Sequence, residues 1–265
     1  MAKCPVILFA DKSQVDIDAI ATQLESGLQD VVMFVEDLHD AKLAIAIGGD
    51  GTLIKHGRML ATKGVPLIGV NSGRLGFIAK FDAESLVSQR ESVFTESPDI
   101  VLSQLLEVQV DEDEPIIAMN EAMIAAGSPF RILELGLSID SVPAPTLRGD
   151  GILIATPLGS TAHNASVGGP IVDPSAHAFV LSPLAAHSLA FRPIVLDASA
   201  DVTVNVLQAN EGTSLVIDGE VHCTLKEGMK VRMCKSQYTL SIVLNPTSTY
   251  WNALVDKLHW AAPPG

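Results

Sequence analysis

The sequence is short of basic residues, of cysteine and of long apolar runs, and each shortage excludes something. Lysine and arginine total 17 against 31 aspartates and glutamates, a formal net charge of −14. A broad basic face for nucleic acid is therefore not expected, because neutralising phosphates requires one. The three cysteines, Cys4, Cys223 and Cys234, are odd in number and lack CxxC spacing. That speaks against a disulfide framework or a structural zinc site and for reduced thiols in a cytoplasmic protein. No HExxH pair occurs among the histidines, and no run reaches the roughly 18 apolar residues of a membrane span. The opening CPVILFA, 4–10, is too short for a signal-peptide core and runs straight into Asp11 and Lys12; it reads as a buried first strand. A GxxxxGK[ST] phosphate loop is missing. So is a GxGxxG after the first strand, which weighs against a dehydrogenase.

What is present is apolar content: 48% hydrophobic and only 18% charged residues over 265 positions. That suffices for one large or two modest globular domains and excludes disorder as the main state. The first hundred residues alternate strand-like and helix-like text. Val6–Ala10, Val31–Val35, Ala41–Ile47 and Pro66–Val70 are short apolar runs, while Ile17, Ile20, Ala21, Leu24 and Leu28 fall at helical spacing and 53–61 reads as a second helix. Continuous rather than alternating hydrophobicity in the strands predicts a parallel sheet covered on both faces. From about residue 99 the text becomes strand-rich, with runs at 100–110, 116–126, 131–139, 202–207, 214–217, 230–234 and 239–244. DEDEP, 111–115, is a solvated turn. Helical spacing returns at 248–259, with Trp251, Leu254, Val255 and Leu258 on one face. The expected division is an α/β domain over 1–97, a β-rich domain over 98–247, and a C-terminal helix in 248–265 that packs back on the first domain.

Three segments carry chemistry. GGDGT, Gly48–Thr52, directly follows an apolar strand. Glycine permits close backbone approach, and a helix beginning there aims free N–H groups at an anion. Asp50 then stands where a carboxylate could take a proton from an attacking hydroxyl; the same residues could also form nothing more than a tight turn with a capping Asp. NSGRLGF, 71–77, again ends a strand, and ligands of open parallel sheets gather beyond such ends. Its glycines could equally shape a loop, with Phe77 in the core. The third segment, 148–172, passes from Arg148-Gly149-Asp150 through an apolar run into a loop dense in Gly, Ser and Thr, which suits a polar, extended ligand such as a dinucleotide. Asn120-Glu121 lies in apolar text. If buried, these side chains need partners; if at a strand edge, they face water.

In their order along the chain, GGDGT, NSGRLGF, NE at 120–121, RGDGILIATPLGSTA, GGPIV, HSLAFRPIV and the terminal WNALVDKLHW resemble the bacterial NAD kinases, and the resemblance spans essentially the whole chain. GGDGT alone is shared with diacylglycerol and sphingosine kinases; the ordered set is far more specific. The resemblance implies transfer of a phosphoryl group from ATP to NAD. It also implies a phosphofructokinase-like or Rossmann-like α/β domain, a β-sandwich-like second domain with the site between them, and a homodimer or homotetramer. The substrates would be NAD and ATP, or polyphosphate as donor, with Mg²⁺ or another divalent cation accompanying the nucleotide. Neither nucleic acid nor membrane would be a partner.

Carried over by position, Asp50 would accept the proton of the adenosine ribose 2′-hydroxyl. Gly51 and Lys55 would contact the dinucleotide or the donor phosphates, and Phe77 would pack against the dinucleotide. Asn120 and Glu121 would hydrogen-bond ribose or nicotinamide groups, and Arg148 and Asp150 would lie near the ligand. Thr161, Ala162, His163 and Ser166 would line the cleft. Ala185 and Glu220 fall at family contact positions and would reach a site across a subunit boundary. Three positions depart from the pattern: His163 replaces the usual Tyr, Glu220 stands where Gln or Asp is frequent, and PLAA precedes His187. A catalytically silent dinucleotide sensor, or a lipid or sugar kinase on the same scaffold, are the alternatives; retention of Asp50 opposes the first and the polar 148–172 segment the second. Charge is unevenly spread: 42–82 holds six basic residues against Asp50 and Asp82, a net +4 that leaves −18 elsewhere. Both glycine loops lie within that positive window.

Overall fold

In the computed structural model the described residues are 3–73, 76–129 and 131–261. Arg74 and Leu75 of the second glycine loop lie outside them. The chain divides into two compact units, Met1–Leu102 with Leu240–Gly265, and Ser103–Thr239. In chain order the elements are β1 (Cys4–Phe9), α1 (Val15–Gly27), β2 (Val32–Val35), β3 (Leu43–Ile47), α2 (Asp50–Lys63), β4 (Leu67–Val70), α3 (Ala83–Ser88) and α4 (Arg90–Val93). There follow β5 (Ile100–Val110), β6 (Ile116–Ala118), β7 (Glu121–Ala125), β8 (Leu133–Ile139), β9 (Val142–Gly149), β10 (Gly151–Ala155) and α5 (His163–Ser166). The remainder are β11 (Ala178–Leu184), β12 (Ile194–Asp197), β13 (Val202–Gln208), β14 (Ser214–Ile217), β15 (Glu220–Thr224), β16 (Lys230–Val243) and α6 (Tyr250–Leu258).

The first unit is α/β. Its strands run parallel in the order β2-β1-β3-β4, and the end of β16 adds on through Ile242 beside Leu67. All five residues of β3 are buried, as two-sided coverage requires. Ile17, Ala21, Leu24 and Leu28 from α1 and its end pack with Val6, Ile45, Ile47 and Ile68 of the sheet. Because β3 and β4 are neighbours in register from Ala44 beside Leu67 to Ile47 beside Val70, both glycine loops leave the same edge of the sheet side by side.

The second unit is antiparallel β. A six-stranded sheet runs β12-β11-β10-β7-β14-β15, and the other layer carries β16-β13-β8-β9 with β5 and β6. Both layers give side chains to one core: Leu106, Leu135 and Val204 on one side, Ile124, Ile154, Phe179 and Leu215 on the other. That is a β-sandwich, with strands such as β8 alternating buried and half-buried positions.

Three sequence expectations change in detail. The run 116–126 is not one strand, because the backbone N–H groups of Met119, Asn120 and Glu121 turn to the Asp218 carboxylate instead of a neighbouring strand. Conversely 230–234 and 239–244 join in the single strand β16, since the polar link between them keeps the extended alternation. The second helix begins at Asp50 rather than Leu53, capped by Gly49.

Candidate active site

In the first unit the site is built around Asp50. As the first residue of α2 it stands at the carboxyl edge of β3, and its carboxylate is held from the second glycine loop. The N–H of Phe77 donates to Oδ2 at 3.1 Å, and those of Ile78 and Ala79 donate to Oδ1 at 3.3 Å each. Gly76 closes this loop with an N–H bond to the Ala79 carbonyl, and a Cβ on Gly76 would occupy the place of Asp50 Oδ1. That glycine is thus required by close approach. A carboxylate has about four acceptor directions and three donors are seated here, so room remains on Oδ2 for one further hydroxyl. Gly51 and Lys55 lie one turn apart on the exposed face of α2, and among the described residues no atom other than the adjoining chain and the helix's own backbone comes within 4 Å of where a Cβ on Gly49 or Gly51 would be. The first turn of this 14-residue helix is therefore open to an anion. A cavity of about 1750 Å³ lies at the other edge of the sheet, among Lys3, Lys42, Lys63 and Phe94, and holds none of these residues.

In the second unit Asn120 and Glu121 are buried, 8% and 4% exposed. Asp218 fixes their backbone by accepting from three successive amides, the shortest bond being 2.7 Å from the Asn120 N–H to Oδ1. Thr156 adds a bond from its hydroxyl to the Met119 carbonyl at 2.7 Å, and its N–H donates to the Asn120 carbonyl at 2.8 Å. The loop after β10 thereby lies against Asn120 and Glu121. It carries Thr161 and Ala162, half-buried, and His163 and Ser166, exposed on α5. Buried Asn164 braces the loop, donating to the Ser160 and Pro170 carbonyls and accepting from Ser182. Asn120 Oδ1 and Glu121 Oε2 are buried without a hydrogen-bond partner in the protein. Two orphaned polar atoms on adjacent residues are what a polar ligand would satisfy.

The statistical pattern of the ATP-NAD kinase N-terminal domain matches residues 11–97, and that of the ATP-NAD kinase C-terminal domain matches 119–245. The NAD kinase of Rhodopirellula baltica is 37% identical over 234 residues, covering 86% of this chain and 75% of that one. The NAD kinase of Geobacter metallireducens is 33% identical over 230 residues, 85% of this chain and 81% of that protein. The chain belongs to the ATP-NAD kinase family. Among solved structures, the fold is shared with yeast NADH kinase complexed with NADH, at a TM-score of 0.83, 22% identity and coverage of 100% of this chain and 90% of that one. It is also shared with an NAD kinase from Archaeoglobus fulgidus in complex with ATP, at a TM-score of 0.77, 21% identity and coverage of 97% and 99%.

Within this family frame, the second-unit residues fall into two groups at opposite ends of β10. Asn120, Glu121, the 161–166 loop and Glu220, which follows the Asp218-Gly219 turn, share one end; Ala155 is in register with Glu121 there. Arg148, Asp150 and Ala185 share the other: the Asp150 N–H donates to the Leu184 carbonyl at 2.9 Å, and the His187 N–H to that of Arg148 at 2.8 Å. Five strand residues separate the groups, roughly 17 Å. Asp218 and Thr156 were not singled out by sequence reasoning. The signal for Asp218 was the Asp-Gly pair between two apolar runs, which marks a two-residue hairpin turn; nothing in the sequence showed that its carboxylate would reach 119–121.

Burial, and second the nearby Asp218 charge, push the Glu121 carboxyl up from its ordinary 4.5 to about 7. His163 Nδ1 lies 3.5 Å from Glu121 Oε1, an ion pair only when the imidazole is protonated. The folded state therefore holds a proton that the unfolded chain releases between pH 4.5 and 7. Stability contributed at this site is retained below pH 4.5 and lost as the pH rises to 7, by about 3 kcal/mol. Glu121→Gln, an isostere of the neutral acid, should leave the Tm at pH 5 nearly unchanged and raise it at pH 8. Thermal melts of both proteins at the two pH values check this; equal shifts at both would remove Glu121 as the titrating group.

Proposed function

We propose that the chain transfers the γ-phosphoryl group of ATP to the 2′-hydroxyl of the adenosine ribose of NAD, giving NADP and ADP, with Asp50 orienting that hydroxyl and accepting its proton. The observation that carries this reading is the Asp50 carboxylate, fixed by three backbone amides beside an open helix N-terminus with one acceptor direction left. A ribose hydroxyl is far too weak an acid to lose its proton to a carboxylate in the ground state. Phosphoryl transfer tolerates this because its loose transition state asks little of the nucleophile beforehand. Asp50 then acts by alignment and takes the proton late, as bond formation to phosphorus acidifies the oxygen. The α2 first turn and Lys55 would stabilise the donor phosphates. A divalent cation would neutralise the charge that develops on them. The cation is read as part of the Mg-ATP substrate.

Asn120 and Glu121 would bind the dinucleotide through their orphaned oxygens, with Phe77, Thr161, Ala162, His163 and Ser166 against its rings and ribose groups. Placing Arg148, Asp150 and Ala185 at the far end of β10 favours their use by a neighbouring subunit in a homodimer or homotetramer, with Glu220 at a second contact. No described helix is long and apolar enough to cross a membrane. The compartment proposed is the cytoplasm. Supplying purified protein with Mg-ATP and, separately, NAD, diacylglycerol and fructose 6-phosphate tests the acceptor. ADP release with NAD alone is expected; release with either other acceptor and none with NAD would reverse the assignment. Replacing ATP by polyphosphate and following NADP formation in place of ADP release fixes the donor range.

A further inference from the structure

The amides that fix Asp50 belong to the short segment Phe77–Ala79, and something must fix that segment in turn. Both of its ends are held by the last part of the first unit. At one end, Asn245 Nδ2 donates to the Lys80 carbonyl at 2.7 Å. Asn245 is itself buried, and its Oδ1 accepts from the N–H and hydroxyl of Thr247 at 2.9 and 3.0 Å. Thr247 is tied back to Gln89 at 2.9 Å. At the other end, the half-buried Phe77 ring lies between two residues of α6. Tyr250 meets it with ring centroids 6.2 Å apart, tilted by 52°, and Lys257 Nζ stands 5.9 Å from its centroid. These are within the ranges for an aromatic pair and for a cation over a ring. The helix that carries both residues is set by a reciprocal cap between Thr249 and Asn252 and anchored by buried Ala253 and Leu254.

We propose that Asn245–Leu258 is a positioning element for the reacting carboxylate: Asn245, Tyr250 and Lys257 hold the Phe77–Lys80 segment from both ends and so aim Asp50. The proposal rests on Asp50 serving as the catalytic residue of the reading above. None of the three touches the substrate in this account; each acts through the backbone amides of 77–79. Because a misplacement of about 1 Å can cost 100-fold in rate, loosening either hold should lower turnover more than binding. The C-terminal segment also reports on itself. The chain has two tryptophans, Trp251 and Trp260, and both sit here with ring centroids 5.7 Å apart; Trp251 in turn lies 6.3 Å from Tyr250. Tryptophan emission is therefore a signal from α6 and the residues directly after it alone.

Two measurements test the proposal on the full chain. In the first, kcat and the KM for NAD are determined for Asn245→Ala, Lys257→Met and Lys257→Arg. The expected result is a kcat lowered about tenfold in Asn245→Ala and Lys257→Met, with the KM for NAD changed by less than about threefold, and most of the loss restored in Lys257→Arg. Wild-type kcat in both disrupting variants, or a loss in Lys257→Met that arginine does not restore, overturns it. In the second, NAD is added to the unaltered protein and to Phe77→Ala, each at a concentration shown by calorimetry to saturate it, while tryptophan emission is followed. Emission should change in the former and not in the latter. An unchanged signal at NAD concentrations that saturate turnover overturns the proposal even if a variant fails to fold. Absence of NADP from the unaltered protein would instead be the failure of the kinase reading, a result distinct from either of these.

Discussion

Asp50→Asn should lower NADP formation by orders of magnitude while leaving the affinity for NAD within a few-fold. The amide keeps an oxygen at the Oδ1 position, where Ile78 and Ala79 donate, but places an NH₂ against the Phe77 N–H. One charge-assisted bond is replaced by two opposed donors, a cost of about 1–3 kcal/mol to the local structure. The larger loss is chemical, since an amide oxygen cannot take a proton at neutral pH. Steady-state kinetics together with calorimetric NAD binding separate the two effects. A variant that binds NAD and turns over within tenfold of wild type would remove Asp50 from the mechanism.

Asp218→Ala should produce the largest loss of stability, together with loss of NAD binding. Asp218 accepts from three successive amides that have no strand partner of their own, and it does so from a turn position at φ 50°, a left-handed conformation that Asp tolerates better than Ala. Truncation strands the amides of Met119, Asn120 and Glu121 and adds backbone strain, together about 3–5 kcal/mol. For a chain of this size that corresponds to a fall in Tm of roughly 10 °C or more. Asn120 and Glu121 lose their aim at the same time. Asp218→Asn keeps one acceptor oxygen and should fall between. A melt of Asp218→Ala within 2 °C of wild type would show that the clamp does little.

Much of this arrangement was legible in the sequence because it is local. The buried run Leu43–Ile47 ending in GGDGT specifies a strand, a turn and a helix start within ten residues, and the run ending at Val70 does the same for the second loop. The family resemblance rests on those segments. What could not be read is what depends on distant pairs. The bonds between Asp50 and 77–79 span 27 to 29 positions, and that of Asp218 to Asn120 spans 98. No periodicity encodes them. The positive window over 42–82 shows the same limit. Lys42 and Lys63 lie beside the cavity at the amino edge of the sheet, a helix length of roughly 20 Å from Asp50. Arg74 is outside the described residues, and the positive charge attributed to the loops contracts to residues such as Lys55 and Lys80. Neighbours in sequence are not neighbours in space here, because a strand or helix running the full depth of the sheet separates them.

The proposed reaction makes one specific bond, from the γ-phosphorus of ATP to the 2′-oxygen of the adenosine ribose. The direct measurement is the fate of γ-labelled ATP incubated with NAD and the purified protein, with the dinucleotide product isolated and its phosphate located by phosphorus NMR. One label per product molecule is expected, on the 2′-oxygen, disappearing with Asp50→Asn. Label confined to inorganic phosphate, or found at any other position of the dinucleotide, would contradict it.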